Sequence, residues 1–133
     1  MSCTPSAKFL DWLQNYSGVD LTGYTPSRGI WIESDATASK RYLGVFTLSG
    51  RSFLVGEVQF PQIRLIVTGT KDGRSIGGQV AEVEKMTHDI MSAALSVPGN
   101  NCIAAIRPLG GIQGPFFTDV NRPFYEQNFE LTY

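Results

Sequence analysis

Histidine occurs once and cysteine twice, and neither charge sign dominates: 11 Lys and Arg residues stand against 12 Asp and Glu, for a net charge of −1. A lone His88 removes most metal sites and most histidine-based catalysis. Cys3 and Cys102 are too few for a disulfide scaffold or a four-ligand zinc site, and the terminal position of Cys3 disfavours a bridge between them. No window approaches the roughly 18 uninterrupted apolar residues of a membrane span, and the start MSCTPSAKF lacks a signal peptide's apolar core, so a soluble, unsecreted chain is expected. Near-neutral charge also disfavours specific nucleic-acid recognition, since a duplex-binding module would be more basic. What is present is hydrophobic residues at 42% against 17% charged in 133 residues. That is the balance of a folding chain of one-domain length.

The N-terminal segment reads as an amphipathic helix. Thr4 is placed to cap it and Pro5 suits its first position, while Phe9, Trp12, Leu13 and Tyr16 recur at helical spacing and Gly18 stops it. Residues 18–28 read as a loop, 28–33 (RGIWIE) as a strand and 34–40 as a small polar connection. After an interruption at Pro61, 62–68 (QIRLIVT) alternates as a strand with Ile63, Leu65 and Val67 on one side. A long helix is expected over 75–96, its stripe traced by Ile76, Val80, Val83, Thr87, Ile90 and Ala94 and widened by Met86, Met91 and Leu95. Gly77 and Gly78 inside it would allow close packing or mark a late helix start. Strands are expected at 102–107, 114–118 and 123–133, with turns at 108–111 and 119–122. In the last strand Tyr125, Phe129, Leu131 and Tyr133 face one way, and Glu126, Asn128, Glu130 and Thr132 the other. With no internal repeat and no linker, residues 1–133 make one α+β domain: a mostly antiparallel sheet covered by two helices.

The segment 41–57 carries the most local information. Ser49 and Gly50 lie between two β-rich runs, which predicts a hairpin with a two-residue turn, Phe46 opposite Phe53 and Val45 opposite Leu54. Tyr42, Phe46, Leu48, Phe53 and Val55 line one face, and Leu43, Val45 and Leu54 the other. Two apolar faces require burial at the centre of the domain or coverage by another chain, as an extended arm would have. The charge is also uneven: residues 28–74 carry seven basic groups against four acidic, and 75–133 three against six. Such a split is either ordinary surface scatter or the polarity of a head-to-tail subunit.

Catalytic and ligand signatures are sparse. The loop 69–75 (GTKDGRS) lies between a strand and a helix, yet Arg74 holds the sixth position with no lysine after it, so it is not a phosphate loop. Lys71 and Arg74 would hold an anion only if the loop were more than a plain turn. His88 is a helix-flank residue without an orienting acceptor and nucleophile. Glu82 and Glu84, like Glu126 and Glu130, are placed on solvated faces, and Cys102 is a small core residue. No cofactor is implied, and an enzyme is disfavoured.

The closing segments 115–119 (PFFTD) and 121–129 (NRPFYEQNF) resemble the end of tail-terminator or head–tail joining proteins of tailed bacteriophages. There an aspartate precedes a turn, an Arg-Pro or Arg-x step and an aromatic follow, and Asn or Gln then leads to another aromatic. The order of elements is similar as well, although Val120 and Asn121 replace a commoner glycine-containing turn. The resemblance implies a structural virion subunit assembled in the host cytoplasm. It would form a homo-oligomeric ring, six copies in that family, at the head-proximal end of the tail tube. Its partners would be itself, the major tail tube protein and the head connector or neck protein. On that basis Arg41, Tyr42, Phe46, Arg51 and Phe53 are the expected interface residues. Another neck or tube subunit, or a small anion-binding module at Lys71 and Arg74, is the alternative.

Overall fold

The computed structural model describes residues 4–29, 31, 33–51, 60–96, 103 and 105–132. Helix α1 spans Pro5–Asn15, β1 Tyr24–Arg28, β2 Arg41–Arg51 and β3 Phe60–Thr68; α2 spans Gln79–Ser96, β4 Ala105–Phe117 and β5 Pro123–Thr132. The strands form one sheet in the order β1-β2-β3-β5-β4. The β1–β2 pair is parallel and the other three are antiparallel. This is the expected α+β architecture, a mostly antiparallel sheet with two helices.

Both helices cover the same sheet face. Leu43 and Val45 of β2, Ile63, Leu65 and Val67 of β3, and Tyr125, Phe129 and Leu131 of β5 share one core with Phe9, Trp12 and Leu13 of α1 and Val83, Ile90 and Ala94 of α2. The period-2 pattern of three adjacent strands thus meets two period-3.6 stripes. Phe9 bridges the layers, its ring centroid 5.4 Å from that of Trp12 and 5.2 Å from that of Phe129. Helix α1 ends where the Tyr16 and Ser17 amides both donate to the Trp12 carbonyl, followed by Gly18 at φ 76°.

Several expectations are corrected. The first strand is β1, and it ends before Gly29, whose φ of 99° turns the chain away; Trp31 and Glu33 therefore lie outside any strand. Ser49 and Gly50 form no turn but stay within β2. Phe46 lies opposite Arg64 and Val45 opposite Leu65, because pairing with β3 gathers Leu43, Val45, Leu65 and Val67 on one buried face. The turn-like pair falls where Leu48 faces Gln62 and Arg51 faces Phe60, so one extra residue is taken up as a bulge. Phe53, Leu54 and Val55 lie outside the described residues, as do Cys3, Cys102 and Tyr133. Pro61 does not interrupt β3 but sits second in it, near the strand end where proline is tolerated.

Helix α2 begins at Gln79, and Gly78, at φ 82°, precedes it; Ile76 is consequently off the stripe and half exposed. Residues 108–111 are no turn either: β4 runs unbroken from Ala105 to Phe117 as an edge strand. Its surplus residues are absorbed in two irregularities, between Leu109 and Gln113 and between Gln113 and Phe116. An edge strand bulges outward without breaking a second ladder. Finally, Glu130 is buried at 4% exposure, because Arg107 Nη2 lies 2.6 Å from its Oε1 across the β4–β5 pair.

Candidate functional site: an aromatic groove on the helix-free sheet face

The sheet face away from the helices carries Phe46 and Leu48 of β2, Gln62, Arg64 and Ile66 of β3, and Glu126 and Asn128 of β5, none of them fully buried. Strand β2 is therefore apolar on both faces, as expected, but the two differ. Leu43 and Val45 are sealed by the chain's own helices, while Phe46 and Leu48 stay partly open. Trp31 closes one end of this face by stacking on Tyr42, ring centroids 5.3 Å apart and planes within 9°.

A groove of about 360 Å³ lies beside that stack, lined by Trp31, Glu33, Phe46, Ile66, Thr118, Asp119 and Val120. Gly44 shapes its floor, since a Cβ there would come 3.4 Å from Phe46 and 3.5 Å from Trp31. The wall formed by 118–122 is a tight turn. The Asn121 amide donates to the Thr118 carbonyl and the Thr118 amide to the Arg122 carbonyl, with Asn121 at φ 57°. Asparagine tolerates this left-handed conformation, so it serves where a glycine would be usual. The turn is tied to its neighbour as well, for Val120 and Asn121 carbonyls accept from the amides of Asp72 and Arg74.

Arg122 organises the groove from beneath. Its side chain is wholly buried. Nε donates to Glu33 Oε1 at 2.6 Å and Nη2 to Glu33 Oε2 at 3.2 Å. Nη2 also reaches the Thr37 carbonyl at 2.7 Å, while Nη1 donates to the carbonyls of Gly69 and Lys40. A planar five-donor fork suits such convergent acceptors. Glu33 Oε1 takes a further bond from Trp31 Nε1 at 2.8 Å, so a continuous chain of bonds fixes the indole over Tyr42. The Arg122 hydrogen bond holds the Glu33 carboxyl below its ordinary value against the opposing effect of burial, with smaller help from Trp31 and Lys71.

The five expected interface residues do not form one cluster. Tyr42 lies beneath Trp31 and Phe46 lines the groove. Arg41 points to the helix side, where Nη1 sits 2.8 Å from Glu82 Oε2. Arg51 ends β2, and Phe53 lies outside the described residues. Trp31, Ile66 and the 118–120 wall lie outside that expected set; the signal for Trp31 was its place between two isoleucines in RGIWIE. Arg122, read as a turn residue in the family-like hairpin, is instead the hub of a buried polar knot.

The anion reading of 69–75 meets a direct obstacle. The Gln79 amide fills the loop: its Oε1 accepts from the Thr70 amide at 2.7 Å, and a Cβ on Gly69 or Gly73 would fall 2.2 or 1.8 Å from that oxygen. Arg74 meanwhile lies over the Phe117 ring, 4.4 Å from its centroid. His88 is exposed on α2, with Glu84 3.9 Å away. Among the described residues no three His, Cys, Asp or Glu side chains are grouped to hold a metal. No helix there is long and apolar enough to cross a membrane.

Two comparisons bear on this geometry. The family model described as phage tail termination protein matches residues 4–133. No curated protein matches the chain.

Proposed function

We propose that this chain, which belongs to the family of phage tail termination proteins, forms a ring at the head-proximal end of the tail tube, stops tube growth there and joins the tail to the head connector. The carrying observation is the match over 4–133, which embraces both helices, all five strands and the groove. The ring is of copies of this chain, six by the resemblance, with the tube subunit below it and a neck protein above. It acts as a structural virion component, by surface complementarity rather than turnover. The helix-free face supports this role, because its half-buried Phe46, Ile66 and Trp31 suit a protein contact. Ring closure demands two different complementary surfaces on each copy.

Infection with phage lacking this protein, complemented or not in trans, tests the proposal by electron microscopy. Without it, tails of unregulated length that fail to join heads are expected; the wild-type protein restores uniform, joined tails. Uniform, head-joined tails in its absence would overturn the proposal.

A further inference from the structure

Two surfaces of this chain match each other in chemistry and face opposite sides of the sheet, and what they imply rests on the ring proposed above. The first is the groove, with apolar walls from Trp31, Phe46, Ile66 and Val120 and with Asp119 exposed at its margin. Glu33 is already engaged by Arg122 and Trp31. The Asp119 carboxylate has no hydrogen bond or ion pair among the described residues, so it sets the charge that this groove prefers.

The second surface lies on the helix side. Phe117 is paired with Pro123, two residues before the core residue Tyr125, so alternation turns both toward that side. Arg74 lies over the Phe117 ring. The ring takes one face of the guanidinium and leaves the donors at its edge open to a carboxylate. Ile76, 50% exposed, follows two residues later. A cation and an uncovered aliphatic group thus stand within roughly 7 Å of chain. The corner that carries them is held by its own backbone. The amides of Asp72 and Arg74 donate to the carbonyls of Val120 and Asn121, and those of Ser75 and Ile76 to the carbonyls of Asp72 and Gly73. A corner so fixed has little freedom left to lose on docking. The same polarity runs through the sequence, where Arg74 closes the basic stretch 28–74 and Asp119 belongs to the acidic stretch 75–133.

We propose that the Arg74–Ile76 corner of one copy seats in the Trp31/Phe46/Ile66 groove of the next copy, with Ile76 entering between the apolar walls and Arg74 meeting Asp119. Corner and groove lie on opposite sides of the sheet, so each copy gives to one neighbour and takes from the other. That is the head-to-tail contact from which rings close. The apolar group supplies the burial, and the charge pair selects this register over others, since like charges brought together are strongly disfavoured.

Charge exchange tests this in phage lacking the protein and complemented in trans, with head-joined tails counted by electron microscopy. One variant carries Arg74→Asp and the other Asp119→Arg. Expressed alone, each sets like charges together at every contact, and joined tails should fall at least several-fold below wild type. Expressed together, the two can alternate around an even-numbered ring so that every contact joins opposite charges, and joined tails should return. Both changes in one chain should restore them as well, whereas Ile76→Ser, which leaves both charges, should lower them. Circular dichroism of the purified variants checks their fold, and the milder pair Arg74→Glu and Asp119→Lys takes their place if either has lost it. A single variant that complements as well as wild type would overturn the seating. So would two folded variants that fail together while the wild-type protein succeeds; in either case the ring stands and only this contact is wrong. Should phage lacking the protein make normal, head-joined tails, the ring itself fails and the contact with it.

Discussion

At the scale of single residues, Arg122 carries the heaviest structural duty. Its guanidinium satisfies Glu33 and three backbone carbonyls from two other segments. The Arg122 side chain is wholly buried while that of Glu33 is 36% exposed, so losing the guanidinium strands chiefly the buried carbonyls, at about 1–3 kcal/mol. Arg122→Met is expected to lose stability on that order, measured by urea denaturation. Arg122→Lys should recover little, since one ammonium cannot reproduce the fork. The same pair sets a pH dependence. Glu33 is depressed in the folded chain, so its stabilising effect is full above the unfolded carboxyl's value of about 4.3 and is lost as pH falls toward the depressed value. Glu33→Gln should flatten that acid limb in thermal melts between neutral and acidic pH. Trp31 emission offers a second readout, because its indole N–H is held by the same carboxylate.

At the scale of elements, the turn between β3 and α2 depends on absent side chains. Gly73→Ala places a methyl group against the Gln79 amide and Pro123. Overpacking of this kind costs about 1–3 kcal/mol. In Gln79→Ala the penalty should shrink, giving a non-additive cycle in equilibrium unfolding. Much at this scale was legible in sequence. Alternation marked Ile63, Leu65 and Val67 as inward, and helical spacing marked Phe9, Trp12, Leu13, Val83 and Ile90, because burial imposes those periods directly. What was illegible follows from tertiary context overriding local signals. Gly50, Pro61, Pro108 and Gly110 read as breakers, yet each lies within a strand, at a bulge, a strand end or an edge, where ladder bonds are not all required. Glu130 read as solvated because nothing local foretells Arg107 across the strand pair. The groove was half visible: two-sided apolarity marked Tyr42 and Phe46, while Trp31 and Val120 arrive from distant loops that only the fold brings together.

At the scale of the whole molecule, the sheet has one sealed face and one partly open. Phe46 is half-buried on the open one, outside the helix-packed core. Phe46→Asp is therefore expected to leave the fold intact by circular dichroism while lowering assembly at tube ends at least several-fold. Loss of the cooperative thermal transition would instead mark Phe46 as a folding residue.

The outermost strands lead to a different consequence. Strand β4 carries Pro108, Gly110, Gly111, Gly114 and Pro115, and β1 at the opposite margin carries Pro26. Missing amide donors and kinked backbone make both margins poor templates for another chain's main-chain ladder. Copies of this protein are thus steered away from adding strand upon strand into endless ribbons. In the proposed ring, side-chain surfaces rather than backbone ladders would then set how many subunits gather, and where the count stops.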